Sequence, residues 1–136
     1  MKKVSFLLIV TFLVLLAGFV LAKHFWRGET LKKQQVCSKW GEVNFNAKKF
    51  REGDEKVRAK MACSLLKNQK QFMGKDRYDI RKELGDHDGF YFTDMFPAYM
   101  IHTAKKIGED SWQIVFLLNR DEKVSEIIVH KNCCEQ

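Results

Sequence analysis

Two groups of residues have types and spacing suited to chemistry. Asp86-His87-Asp88 sets two carboxylates around an imidazole, a set able in principle to hold a metal ion or pass a proton. His130 with Cys133 and Cys134 forms a second cluster, and Cys37 and Cys63 bring the cysteines to four. Three consecutive residues rarely converge on one ion unaided, so Asp86-His87-Asp88 reads as a solvated turn. A tetrahedral zinc at His130, Cys133 and Cys134 needs a fourth ligand, from Cys37 or Cys63, and disulfide formation is the preferred reading of those thiols. A redox enzyme wants a thiolate-stabilising setting such as Cys-x-x-Cys at a helix start, and the chain has none. It also lacks a Ser/His/Asp order, a phosphate loop and a zinc-binding helix motif. The residues predict no catalytic site, no metal and no cofactor, hence a protein that is not an enzyme.

An even cysteine count behind an export signal reads as a disulfide framework. Four cysteines allow three pairings. The two that cross-link Cys133 and Cys134 to Cys37 and Cys63 are favoured over Cys37 with Cys63. A vicinal Cys133–Cys134 bond strains its own peptide unit, and a long cross-link restrains more chain.

The elements that must position these residues start after an apolar leader. Residues 4–22 carry no charge and follow Lys2 and Lys3. As a helix they would extend about 29 Å, near the hydrocarbon thickness of a bilayer. This is longer than an ordinary signal-peptide core, so an uncleaved signal anchor is favoured over cleavage near Ala22. Phe19 stands where a lipidated cysteine would follow Leu15-Leu16-Ala17-Gly18, so nothing there can be acylated. Residues 23–36 read as a juxtamembrane stalk, and 37–136 as one small domain. The cysteines place that domain in the periplasm or outside the cell, anchored in the inner membrane, or free there if the leader is cut.

Of the 136 residues, 24 are basic and 17 acidic, a net +7. Dropping Lys2 and Lys3 leaves 22 basic against 17 acidic, or +5. That mild excess suits anionic surfaces, but its charges are interspersed as on an ordinary solvated surface. The aromatics follow strand burial and not a basic face, which excludes a nucleic-acid reading.

Within the domain, Trp40, Phe45 and Phe50 are spaced by five, which fits neither helix nor strand, and residues 36–50 read as an irregular lead-in. Asp54 can cap a helix running to about Asn68, with Val57, Met61, Ala62, Leu65 and Leu66 on its apolar stripe. Asp76 can cap a second, two-turn helix carrying Ile80 and Leu84 and closed by Gly85. Residues 90–96 are a first strand or an ordered loop. Alternation then predicts strands over 98–105, with Tyr99, Ile101 and Thr103 on one face, over 111–119, with Trp112, Ile114, Phe116 and Leu118, and over 123–131. The fold class is α+β: two helices on one face of a three- to four-stranded antiparallel meander, behind an N-terminal transmembrane or signal helix. Phe90, Tyr91, Phe92, Met95, Phe96 and Tyr99 crowd more apolar surface than one short strand buries, and mark a candidate contact patch for a protein partner.

Gly74-Lys75-Asp76, Asp79-Ile80 and Leu84-Gly85-Asp86-His87-Asp88 together resemble the pattern Gly-x-Ser/Thr, Glu-Val, Leu-Gly-x-Pro-Asp. That pattern marks the outer-membrane-assembly lipoprotein family (SmpA/OmlA, the BamE type) and its small exported relatives. The resemblance covers about residues 50–131. It implies two helices on an antiparallel sheet, a fold shared with proteins that inhibit β-lactamases, and a role in protein or envelope-lipid contacts. His87 replaces the proline of the pattern and Phe19 the lipidated cysteine, so outer-membrane anchoring is not implied. The reading is a non-enzymatic, membrane-tethered binding or scaffolding module. The alternatives are a secreted periplasmic inhibitor-like protein and a thiol- or metal-dependent envelope enzyme.

Overall fold

Alternating apolar residues in the last third of the chain close into a sheet. A computed structural model of the protein describes residues 2–132; within the first helix it describes the side chains of residues 8–22. The helices are α1 (Lys2–Arg27), α2 (Lys33–Trp40), α3 (Ala47–Glu52), α4 (Glu55–Lys67) and α5 (Arg77–Leu84), with a 3₁₀ turn at Gln69–Gln71. The strands are β1 (Thr30–Leu31), β2 (Ala98–His102), β3 (Ser111–Leu118) and β4 (Val124–Asn132). They form one antiparallel sheet in the order β1-β4-β3-β2. The last three strands are the expected meander. Thr30 and Leu31, within the stretch read as a stalk, pair with His130 and Val129.

Register sorts the side chains between two faces, because a strand's residues alternate. Ile114 stands between Tyr99 and Val129, and with Trp112, Phe116 and Ile101 these residues face the helices. Val36 of α2, Phe50 of α3, Met61 and Leu65 of α4, and Ile80 and Leu84 of α5 join them in one core. Phe72 meets both Phe45 and Phe116 edge to face. The other face of the sheet carries Ala98, Val115 and Ile128, and Tyr91 and Phe96 cover it. The segment between α5 and β2 is thus the sheet's second layer.

The anticipated caps form. Asp54 accepts from Val57 N, and Asp76 from Tyr78 N and Asp79 N. Gly85 ends α5 at φ +87°, a region that glycine enters without cost. Its carbonyl then accepts the Tyr99 hydroxyl at 2.8 Å.

Two expectations are corrected and one open choice is decided. Four helices, not two, surround the core on the helical face, since residues 36–50 lie largely in α2 and α3. Residues 90–96, a first strand or an ordered loop by sequence, are the loop and form no strand of the sheet. The crossed disulfide pairings are also excluded, because Cys37 is bonded to Cys63 with their Cα atoms 4.8 Å apart. Val36 anchors α2 in the core beside α4, and this brings its next residue against buried Cys63. Cys133 and Cys134 lie outside the described residues. No helix among the described residues is long and apolar enough to cross a membrane. In α1, every side chain from Leu8 to Ala22 is exposed.

Candidate functional site

Residues 85–97 leave α5, cross the back of the sheet and return to β2. Their course is set by side chains that reach in from the sheet and helices. Asp88 accepts from Met100 N at 2.9 Å and from Arg58 Nη1 at 2.6 Å. Arg58 is largely buried; it also donates to Phe50 O and stands over the rings of Phe50 and Tyr99. The outer edge of β2 is therefore occupied by Asp88 and by Gly89, whose N–H donates to Ala98 O. A Cβ at position 89 would lie 2.4 Å from Gln113 Oε1 and 3.0 Å from the Ala98 backbone, so only glycine fits this approach.

Gln113 is fully buried on β3. Its amide holds Phe90 at both backbone polar groups, accepting from N at 3.0 Å and donating to O at 2.7 Å. Tyr91 then turns inward, edge to face with the His130 ring at 4.8 Å between centroids. The next residue turns out. Thr93 N donates to Tyr91 O at 2.6 Å, a three-residue turn centred on Phe92 at φ +56°. A bulky side chain at positive φ is strained and persists where neighbouring contacts determine it. Arg81 Nη2 holds the far side of the loop through Asp94 O.

The candidate patch is accordingly divided. Tyr99 belongs to the core, and Tyr91 is buried against the back of the sheet. Phe96 is half-buried beside Tyr91. Phe90, Phe92 and Met95 remain outside, 56%, 58% and 41% exposed. The strand alternation that buries Ile101 also buries Tyr99, so Tyr99 was never available to the surface. Gln113 and Arg58 are the positioning residues that sequence reasoning missed. A buried glutamine in phase with Val115 carries no sequence signal of its partner.

The acid–base candidates are dispersed. Asp88 is occupied by Arg58 and Met100. Burial lowers the His87 pKa, and the Arg81 charge lowers it further. His130 is likewise lowered by burial. Its Nδ1 faces Gln113 Nε2 at 3.4 Å. Burial raises the Tyr99 phenol, which stays a neutral donor. Among the described residues, no three His, Cys, Asp or Glu side chains gather as a metal-holding group. A shallow depression beside Phe45, Lys67, Asn68, Lys70 and Gln71 has no paired acid and base.

The fold and the site define a class: an α+β domain, disulfide-linked, that displays a braced aromatic loop on the back of its sheet. Comparison with family models, with curated proteins and with solved structures gives no match.

Proposed function

We propose that this chain is a non-enzymatic binding module, tethered to the inner membrane through residues 4–22, with its domain on the non-cytoplasmic side. The observation that carries the binding role is Phe92: a large apolar side chain, more than half exposed, on a backbone held at positive φ. Toward the interior Phe92 makes an edge-to-face contact with Tyr91, 4.6 Å between ring centroids, and the larger part of its side chain is left in solvent. That display suits a contact surface, where aromatics contribute much of the binding energy. Phe90 and Met95 flank it, and the partner surface is a protein with an apolar recess.

The tether reading is supported by the exposed apolar side chains of residues 8–22 in α1, which a hydrocarbon layer would cover. The Cys37–Cys63 bond fits a compartment outside the reducing cytoplasm. The likeness of residues 74–88 to the outer-membrane-assembly lipoprotein pattern belongs to the same proposal, as a shared domain type without its lipid anchor.

The test places a photoreactive phenylalanine at position 92 in cells. A discrete protein adduct is expected, lost when Phe90→Ser and Met95→Ser are added while the thermal melt is unchanged. Absence of any protein adduct from a folded, membrane-retained chain rejects the binding role.

A further inference from the structure

Two segments leave the sheet at the end where α1 arrives. β1 runs antiparallel to β4 and begins opposite His130, so the chain reaches it from α1 through Gly28 and Glu29. β3 begins opposite Asn132, so the connection from β2, residues 103–110, projects from this same end. Lys131 ties the two: its Nζ lies 3.2 Å from Glu29 Oε2 and 2.7 Å from Asp110 Oδ1.

The connection is firmly built. Glu55 on α4 accepts from both Thr103 N and Thr103 Oγ1. Ser111 Oγ accepts from Ala104 N, and Glu109 accepts from Lys105 N and pairs with His102. Both acidic residues of the tip, Glu109 and Asp110, thus have partners within the domain. Lys105 and Lys106 are exposed and make no ion pair among the described residues. Between them and Gly108 stands Ile107, 108% exposed, well above any other large apolar residue described.

We propose that the tip formed by Lys105, Lys106 and Ile107 touches the surface of an anionic lipid bilayer, the one that holds α1. This inference rests on the tether reading of residues 4–22. Two lysines meet phosphate headgroups, and an isoleucine enters the boundary with the acyl chains. So small a contact cannot hold a free protein on a membrane. It becomes effective because α1, arriving at the same end of the sheet, keeps the tip at high local concentration near the surface. The contact fixes how the domain stands on its tether, and so which way the aromatic loop faces.

The test uses the full chain in phosphatidylglycerol vesicles whose acyl chains are brominated near the headgroup. Ile107→Trp adds an indole, read as the difference from the parent. We expect its emission to be quenched and shifted to the blue. Adding Lys105→Glu and Lys106→Glu should lower the ratio of contacting to free tips by about tenfold and restore most of the emission. Extraction of the chain by alkaline carbonate overturns the tether and the tip contact with it. A retained chain whose added indole stays unquenched and open to aqueous iodide overturns the tip contact alone.

Discussion

Gln113 and Phe90 are joined by two hydrogen bonds, the side-chain amide of one to the backbone N–H and C=O of the other. The pairing imitates a strand ladder with a single side chain. It lets a loop lie on the back of the sheet without leaving buried backbone groups unpaired. Gln113→Leu keeps the volume and removes both partners. We expect a loss of about 2 kcal/mol in a denaturant melt, together with faster amide exchange through residues 89–97. Unchanged exchange would show that something other than Gln113 holds the loop.

Phe92 is expected to matter far more for binding than for stability. Phe92→Gly relieves a bulky residue at positive φ but also deletes its edge-to-face contact with Tyr91; the two effects are of similar size, so stability should change by less than about 1 kcal/mol. The substitution should abolish the photo-adduct seen from a neighbouring probe at position 90. A folded variant that keeps its partner would remove Phe92 from the contact surface.

Arg58 connects three parts of the domain: Phe50 O on α3, Met100 O on β2 and the Asp88 carboxylate. Arg58→Met preserves much of the stem and its contact with the rings. It leaves Asp88 with Met100 N alone. Asp88 is half exposed, so solvent moderates the cost, and about 1–2 kcal/mol is expected from chemical denaturation. Asp88→Asn should cost less, because it still accepts from Met100 N.

The Cys37–Cys63 bond closes a loop of sequence separation 26. The chain-entropy model assigns a cross-link of this size about 3–4 kcal/mol. Cys37→Ser with Cys63→Ser should lower the melting temperature accordingly. Reductant should then have no further effect on the melting temperature of that variant. Peptide mapping of the native chain should recover Cys37 and Cys63 in one linked fragment; a fragment linking either to Cys133 or Cys134 would contradict the pairing.

Legibility followed how locally each feature is encoded. Asp54 and Asp76 act on backbone groups two or three residues away, and Gly85 on its own dihedral, so each was readable. Trp112, Ile114 and Phe116 state a strand by period alone. By contrast, α2 buries only Val36, so its apolar spacing carries almost no helix signal, and a disulfide to α4 does the holding. β1 has two residues, below any period. The patch was half legible: density of aromatics identified residues 90–96, but only tertiary placement separates exposed Phe92 from Tyr91, turned against His130. The Gln113–Phe90 pairing spans 23 residues and depends on the loop crossing the sheet, which no local pattern encodes.

Acid should weaken the domain in a window set by its histidines. His130 and His87 both have pKa values lowered by burial, in His87 with the Arg81 charge adding to it against Asp94, Asp86 and Asp88. Above the ordinary histidine value of about 6.5 the folded and unfolded chains are both neutral at these sites. Below it the unfolded chain takes up protons first, so stability falls as pH falls, until the folded histidines titrate in turn. At His130 the geometry supplies a second reason. The Gln113 amide nitrogen is a donor, so the neutral Nδ1 facing it is the acceptor and the proton sits on Nε2. A protonated ring would set N–H against NH₂. Rotating the amide to accept would oppose its oxygen to Phe90 O and its nitrogen to Phe90 N. Asp76 and Glu109 act in a separate range. Their pKa values are lowered first by bonds from Asp79 N and Lys105 N respectively, so their contribution is present above the ordinary carboxylate range and lost only below it. The urea midpoint should therefore be flat from about pH 8 to 7, fall toward about pH 5, and fall again below about pH 4. His130→Asn should flatten part of the first fall and leave the second unchanged. A parent midpoint that stays constant between about pH 7 and 5 would show that neither histidine is protected from protons in the folded domain.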